Sequence, residues 1–299
     1  IKSEGNAIKI SCGEGTKNFV LDINGEAIVY LIKGKYYLSG NKSRLIIRTI
    51  PELIYANFED CPLVSEMGVY DWQWLEMAGI LANTTTIIAN SPKFDGREET
   101  NHLFNDAPAE QWIKNGRRWI YESLIPGVTF KYEKKWTPEE ISKYYLTQYG
   151  INSPHANGII LDEFCNGIDS EQLQGLELGM QNVEQKNKFI YPYFAGEPDT
   201  AQSLFALTTK FKSKVVIERY LPEAATEEAE LDDLKRYYVE YASKVRKMGY
   251  KPEDMIFAIG LMTAPNESTD SNPMVNFKTH LDMQFWILAN NPELKGLYG

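Results

Sequence analysis

The strongest constraint on how this chain folds is the regular return, from about residue 52 onward, of short apolar runs separated by helix-like stretches. The runs lie at 53–59, 84–90, 118–123, 158–163, 189–194, 215–219, 255–261 and 296–299. Between them the helix punctuation is explicit. Thr137-Pro138-Glu139-Glu140 combines an N-cap, a proline at the first helical position and a capping-box glutamate. Asn115-Gly116, Tyr149-Gly150 and Met248-Gly249 supply C-terminal glycines, each shortly before the next run or its loop. Eight such slots in about 250 residues match a closed (β/α)8 barrel better than an open doubly wound sheet.

Residues 1–50 read differently. Short β-branched and aromatic runs are separated by glycine turns, and Asn24-Gly25 between two of them is a hairpin signal. The expected organisation is therefore a small antiparallel β-region over 1–50 followed by a barrel over 51–299. Gly13 and Gly15 lack the third glycine and the following helix of a dinucleotide loop.

The run Gly158-Ile159-Ile160-Leu161-Asp162-Glu163-Phe164 is the central one. Its apolar residues do not alternate with polar ones, as in a parallel strand buried on both faces, and it ends in two adjacent carboxylates. In a barrel the strand C-termini meet around one mouth. Reading only those ends gives Glu59, Asp60, Asn90, Glu122, Asp162, Glu163, Tyr193, Glu197, Glu218, Arg219, Met262 and Asn266. Acids dominate this list.

That inventory excludes several chemistries. The chain has 3 histidines: His155 and His280 are placed as structural or exposed, and only His102 falls near the rim. A multi-histidine metal hydrolase is therefore out of reach. Lys188 and Lys214 sit at the entering ends of their strands, the wrong face for a Schiff base. There is no nucleophile elbow and no Cys–His pair. The 3 cysteines show no metal spacing and leave at least one unpaired. A net charge of −10 argues against nucleic acid and anionic membrane surfaces, and no apolar run approaches the roughly 18 residues of a membrane span. Sequons at Asn41, Asn83 and Asn266 do not decide a compartment.

Carboxylate chemistry remains. Glycoside hydrolysis needs one carboxylic acid to protonate the leaving oxygen and one carboxylate as base or nucleophile. Asp162 or Glu163 is read as the acid and Glu218 as its partner, because all three end apolar strands where a lone charge is costly. Strand alternation allows only one of Asp162 and Glu163 to point inward unless the strand end curls. Glu122, Asn90, Tyr191, Tyr193 and Trp72 are the candidate substrate contacts; the aromatics, among 18 Tyr and 6 Trp, offer flat apolar faces to a sugar ring. The acids at 226–233 read as the solvated first turns of a helix.

The Asp162-Glu163 strand, followed two strands later by Val216-Ile217-Glu218, resembles secreted (β/α)-barrel glycoside hydrolases. Among these it is most similar to the spherulin-type group, which carries an Asp-Glu pair on strand four and a further Glu downstream. The resemblance implies endo-acting hydrolysis of a polysaccharide, with roles for Asp162, Glu163 and Glu218 only; the expected enzyme uses no cofactor and works outside the cytoplasm. Ile1 in place of Met suits a processed chain whose export signal has gone. Two rivals stand beside this reading. One is a Mg²⁺ enzyme using Glu122, Asp162, Glu218 and Glu197. The other is a glycan-binding barrel without the reaction.

Overall fold

The computed structural model describes residues 1–12, 19–21, 25, 35–40, 44–47, 52–56, 81–89, 93–94, 97–98, 106–127, 135–165, 168–218, 221, 224–259 and 277–294. Among them the N-terminal region forms β1 (Lys2–Glu4), β2 (Ile8–Cys12), β3 (Phe19–Leu21), β4 (Tyr36–Gly40) and β5 (Arg44–Ile46). β1 pairs with β5, and β2 lies between β3 and β4, all antiparallel. Ile8 and Ile10 are buried here against Ile1, Tyr36 and Leu45, a small core that among the described residues takes none from the main sheet.

The main body follows as β6 (Ile54–Ala56), β7 (Thr86–Ala89), the short pair β8 (Lys93–Phe94) and β9 (Arg97–Glu98), α1 (Asp106–Lys114), and β10 (Arg118–Ser123). Then come α2 (Pro138–Thr147), α3 (Tyr149–Asn152), β11 (Gly158–Cys165), α4 (Ser170–Glu184), β12 (Phe189–Ala195), α5 (Gln202–Lys210), β13 (Val215–Glu218), α6 (Glu227–Lys247), β14 (Met255–Phe257) and α7 (Phe277–Asn290). The Thr137 capping box starts α2 as its sequence predicts, and Asp169 caps α4 by accepting from Gln172 N. The carboxylates of β11 therefore have no capping duty there.

Seven strands form one sheet in the order β6-β7-β10-β11-β12-β13-β14, every pairing parallel. Spatial order equals chain order, as in a singly wound barrel and unlike a doubly wound sheet. The two faces are packed differently. Ile159, Leu161, Ile190, Phe194, Val215, Ile217 and Phe257 pack against α2, α4, α5 and α6, and Ile87, Trp119 and Tyr121 pack against α1. The alternate residues Ile88, Ile120, Ile160, Tyr191, Tyr193, Val216 and Ile256 pack on one another, and among the described residues no helix contributes to that cluster. A sheet that carries its helices on one face and buries the other in itself has to curl, and this one is a parallel half-barrel with interleaved helices. The expected eighth strand at 296–299 lies outside the described residues.

Close approach sets the wall thickness. A Cβ on Gly175 of α4 would stand 2.6 Å from Ile141 of α2, so the helices touch only because no side chain is there. The floor, at the entering ends of the strands, is polar and internally satisfied. Glu52, 3% exposed, accepts from Tyr191 Oη at 2.7 Å and Thr86 Oγ1 at 2.6 Å. Arg118 Nη1 donates to Tyr191 Oη at 2.8 Å and lies 3.3 Å from Glu52 Oε1.

Candidate active site at the strand ends

The two-residue period of a strand carries the inward face up to the mouth. Ile120 is inward, so Glu122 two residues on is inward too; Ile160 leads to Asp162 and Val216 to Glu218 in the same way. Glu122 and Glu218 are 4% and 7% exposed. Register sets their heights. Glu122 is level with Ile160, one inward step below Asp162. Glu218 is level with Ala195, one inward step above Tyr193. Each step is about 6.6 Å along a strand, so the three carboxylates climb around the rim as the strands tilt.

β11 does not stay regular. Leu161 pairs with Pro192 but Phe164 pairs with Phe194, so β11 holds one residue more than β12 over that interval. The extra residue is accommodated by Glu163, whose φ of 62° lies in the left-handed region. This is a β-bulge, and it reverses the phase of the strand. Phe164 returns to the helix-facing core that Leu161 also occupies. Asp162 keeps the inward direction of Ile160, Glu163 is exposed, and Cys165 comes level with Ala195 and hence with Glu218. A non-glycine residue in this conformation costs of order 1 kcal/mol or more and persists where the surroundings impose it.

The electrostatics reflect this convergence. Burial, and then the Glu163 charge beside it, push the Asp162 carboxyl up from 3.8 to about 6. The Cys165 thiol is also raised, first by burial and then by Glu163, Glu218 and Asp162 together. A carboxyl that keeps its proton to about pH 6 can donate it, while a second carboxylate on a nearby strand can take one or attack carbon.

The other expected site residues are placed as follows. Tyr193 faces inward and is 9% exposed, on the inward step of Asp162. Tyr191 faces inward as well, but its hydroxyl belongs to the floor, bonded to Glu52 and Arg118 at the end opposite the mouth. Asn90 and Trp72 lie outside the described residues. Glu197, one of the oxygens of the magnesium reading, is paired with Lys244 at 2.8 Å. Among the described residues no group of three or more His, Cys, Asp or Glu could hold a metal ion. Lys188 sits at the entering end, donating to the carbonyls of Gly150 and Ser153.

Two features were not visible in the chain as text. Cys165 joins the mouth only because the bulge shifts the alternation. Glu230, expected in a solvated first turn, is instead 1% exposed and lies 2.5 Å from His280 Nδ1. The helix periodicity that puts Glu230, Leu234 and Tyr238 on one face of α6 carried that signal.

No family model and no curated protein matches the chain. Several solved structures are similar to parts of it, two of them as follows. One is a GH128 (subgroup III) curdlan-specific exo-beta-1,3-glucanase from Blastomyces gilchristii in complex with glucose, with a TM-score of 0.29 and 15% identity, covering 52% of this chain and 74% of that one. The other is a phosphotriesterase homology protein from Escherichia coli complexed with phosphate in its active site, with a TM-score of 0.38 and 9% identity, covering 83% of this chain and 96% of that one. At these TM-scores neither likeness bears on this chain's chemistry.

Proposed function

We propose that the chain is a glycoside hydrolase that cleaves a polysaccharide by paired-carboxylate catalysis at the mouth of the half-barrel. Asp162 is the acid that protonates the leaving glycosidic oxygen. Glu218, on the second strand along, is the carboxylate that activates water or attacks the anomeric carbon. Tyr193 beside Asp162 offers a ring face to the sugar, and Glu122 one step below holds a sugar hydroxyl. Glu163, pushed out of the mouth by the bulge, acts through its charge by keeping the Asp162 proton in place.

The observation that carries the reading is the inward Asp162 carboxyl, raised to about 6, with a buried Glu218 ending the second strand along the same sheet. A carboxyl that keeps its proton towards neutral pH is what the acid step of sugar-bond cleavage requires. A polysaccharide outside the cytoplasm as substrate follows from the resemblance to secreted barrel hydrolases.

The test is reducing-sugar release from a panel of plant, fungal and bacterial polysaccharides. Asp162→Asn and Glu218→Gln should each lower kcat/KM by about 10²–10⁴ on whichever polysaccharide the wild type cleaves. Wild-type kcat/KM should fall as pH rises through about 6, because Asp162 must be protonated to act. Undiminished release by both variants, or no release from any polysaccharide, overturns the reading. Sugar binding without products would instead favour the glycan-binding barrel.

A further inference from the structure

Glu218 ends β13, and the register fixes what stands beside it. Val216 pairs with Ile256 and Ile217 with Phe257, so Glu218 comes level with Ala258, the residue after β14. Ala258 N donates to Ile217 O at 2.8 Å, which carries the ladder one residue past the strand. On the other side, Ala195 of β12 pairs with Glu218. Residues level with one another on neighbouring parallel strands share a face of the sheet, and Glu218 faces inward. Ala258 does too, since it packs against the inner cluster that contains Val216 and Ile256. Ala195 follows the inward Tyr193 at the two-residue period of the strand.

Side-chain size changes at this level. One inward step lower, the same two strands carry Tyr193 and Ile256, which fill the interior. At the level of Glu218 they carry only methyl groups. Both alanines are partly exposed, while Glu218 between them is 7% exposed. Neighbouring strands lie about 4.8 Å apart, so a ligand that reaches the carboxylate comes over the alanines. The two sides are not equivalent. β12 separates β13 from β11, so Ala195 lies between Glu218 and Asp162, and Ala258 lies on the far side of Glu218 from Asp162. In glycoside cleavage the acid stands beside the leaving sugar and the second carboxylate beside the anomeric carbon. The scissile bond then spans the β12 side, and the sugars on its non-reducing side run past Glu218 towards β14.

We propose that Ala258 is a specificity-determining residue: its methyl group leaves room beside Glu218 for sugar units on the non-reducing side of the cleaved bond, so that the cut falls inside a chain. This rests on the glycoside hydrolase reading of Asp162 and Glu218, and deepens it by giving the substrate a direction across the mouth. A branched side chain at position 258 fills the room those units occupy. The chain then binds productively only with fewer sugars beyond Glu218.

The test uses the full chain as wild type, Ala258→Val and Ala258→Leu, with circular dichroism and thermal melting to check folding. Valine is the smaller step and carries the test if the leucine variant does not fold. Oligosaccharides of the polysaccharide that the wild type cleaves are labelled at the reducing end, digested, and the labelled products sized. The cut should move towards the non-reducing end, further with leucine than with valine. KM for the long oligosaccharides should rise about tenfold with leucine, with a smaller change in kcat. Cuts at the wild-type positions in the folded variants overturn the proposal, as does a loss of kcat with the position of the cut kept. A second arm measures binding by isothermal titration calorimetry in Glu218→Gln, with and without Ala258→Val, against oligosaccharides from the whole polysaccharide panel. Weaker binding with valine supports the proposal; equal binding, or none to any oligosaccharide, overturns it. A wild type that cleaves no polysaccharide overturns the hydrolase reading, and the binding arm then reports separately on the room beside Glu218.

Discussion

Replacing Asp162 by Asn should raise the stability of the protein as it removes the activity, and only above a defined pH. The wild-type carboxyl is raised from 3.8 to about 6, first by burial and then by Glu163. Between those values the folded chain holds a proton that the unfolded chain has lost, so stability falls as pH rises from about 4 to about 6 and stays low above. The full effect of that rise is about 3 kcal/mol. Asp162 is partly solvent-exposed, and screening reduces this to about 1.5 kcal/mol. Asparagine has no charge to desolvate and loses none of it. With an unfolding entropy of about 2.1 cal/mol/K per residue, that gain raises Tm by about 2 °C. Differential scanning calorimetry at pH 8 and pH 4 should show the Asn variant melting about 2 °C higher at pH 8 and level with wild type at pH 4. Equal melting at pH 8, or a gap of the same size at both pH values, would refute the burial argument for Asp162.

Three further outcomes follow from other parts of the molecule. Glu163→Gln removes the second cause of the raised Asp162 carboxyl, so the fall of kcat/KM with rising pH should begin at a lower pH than in wild type, read from a pH–rate profile. Tyr191→Phe takes a donor from the buried Glu52; it should cost about 1–3 kcal/mol by urea denaturation with kcat/KM unchanged, since the hydroxyl serves the floor and not the mouth. Gly158→Ala would bring a Cβ to 2.0 Å from Phe189 O, so β11 and β12 would have to part; a loss of about 3 kcal/mol or more is expected from the same denaturation curve.

Much of the fold was legible in the chain. The run 118–123 coincides with β10, and those at 158–163, 189–194 and 215–219 differ from β11, β12 and β13 by one or two residues. These properties are local: a strand's apolar run and the period of its side chains depend only on neighbouring residues. The same rule handles a regular strand and fails at an irregular one. It allowed one inward carboxylate at Asp162-Glu163 and had no means of foreseeing that Cys165 would turn to the mouth.

The amino-acid order by itself determined the central strands, their parallel succession and the acids that end β10, β11 and β13, because each follows from the spacing of apolar and charged residues along the chain. Tertiary structure alone decided which acid faces inward with its carboxyl raised, where β11 bulges, that the Tyr191 hydroxyl belongs to the floor, and that Glu230 and His280 are buried together. Register slip, desolvation and pairing depend on segments up to 139 residues apart, as Tyr191 and Glu52 are, and their energies exist only once those segments meet.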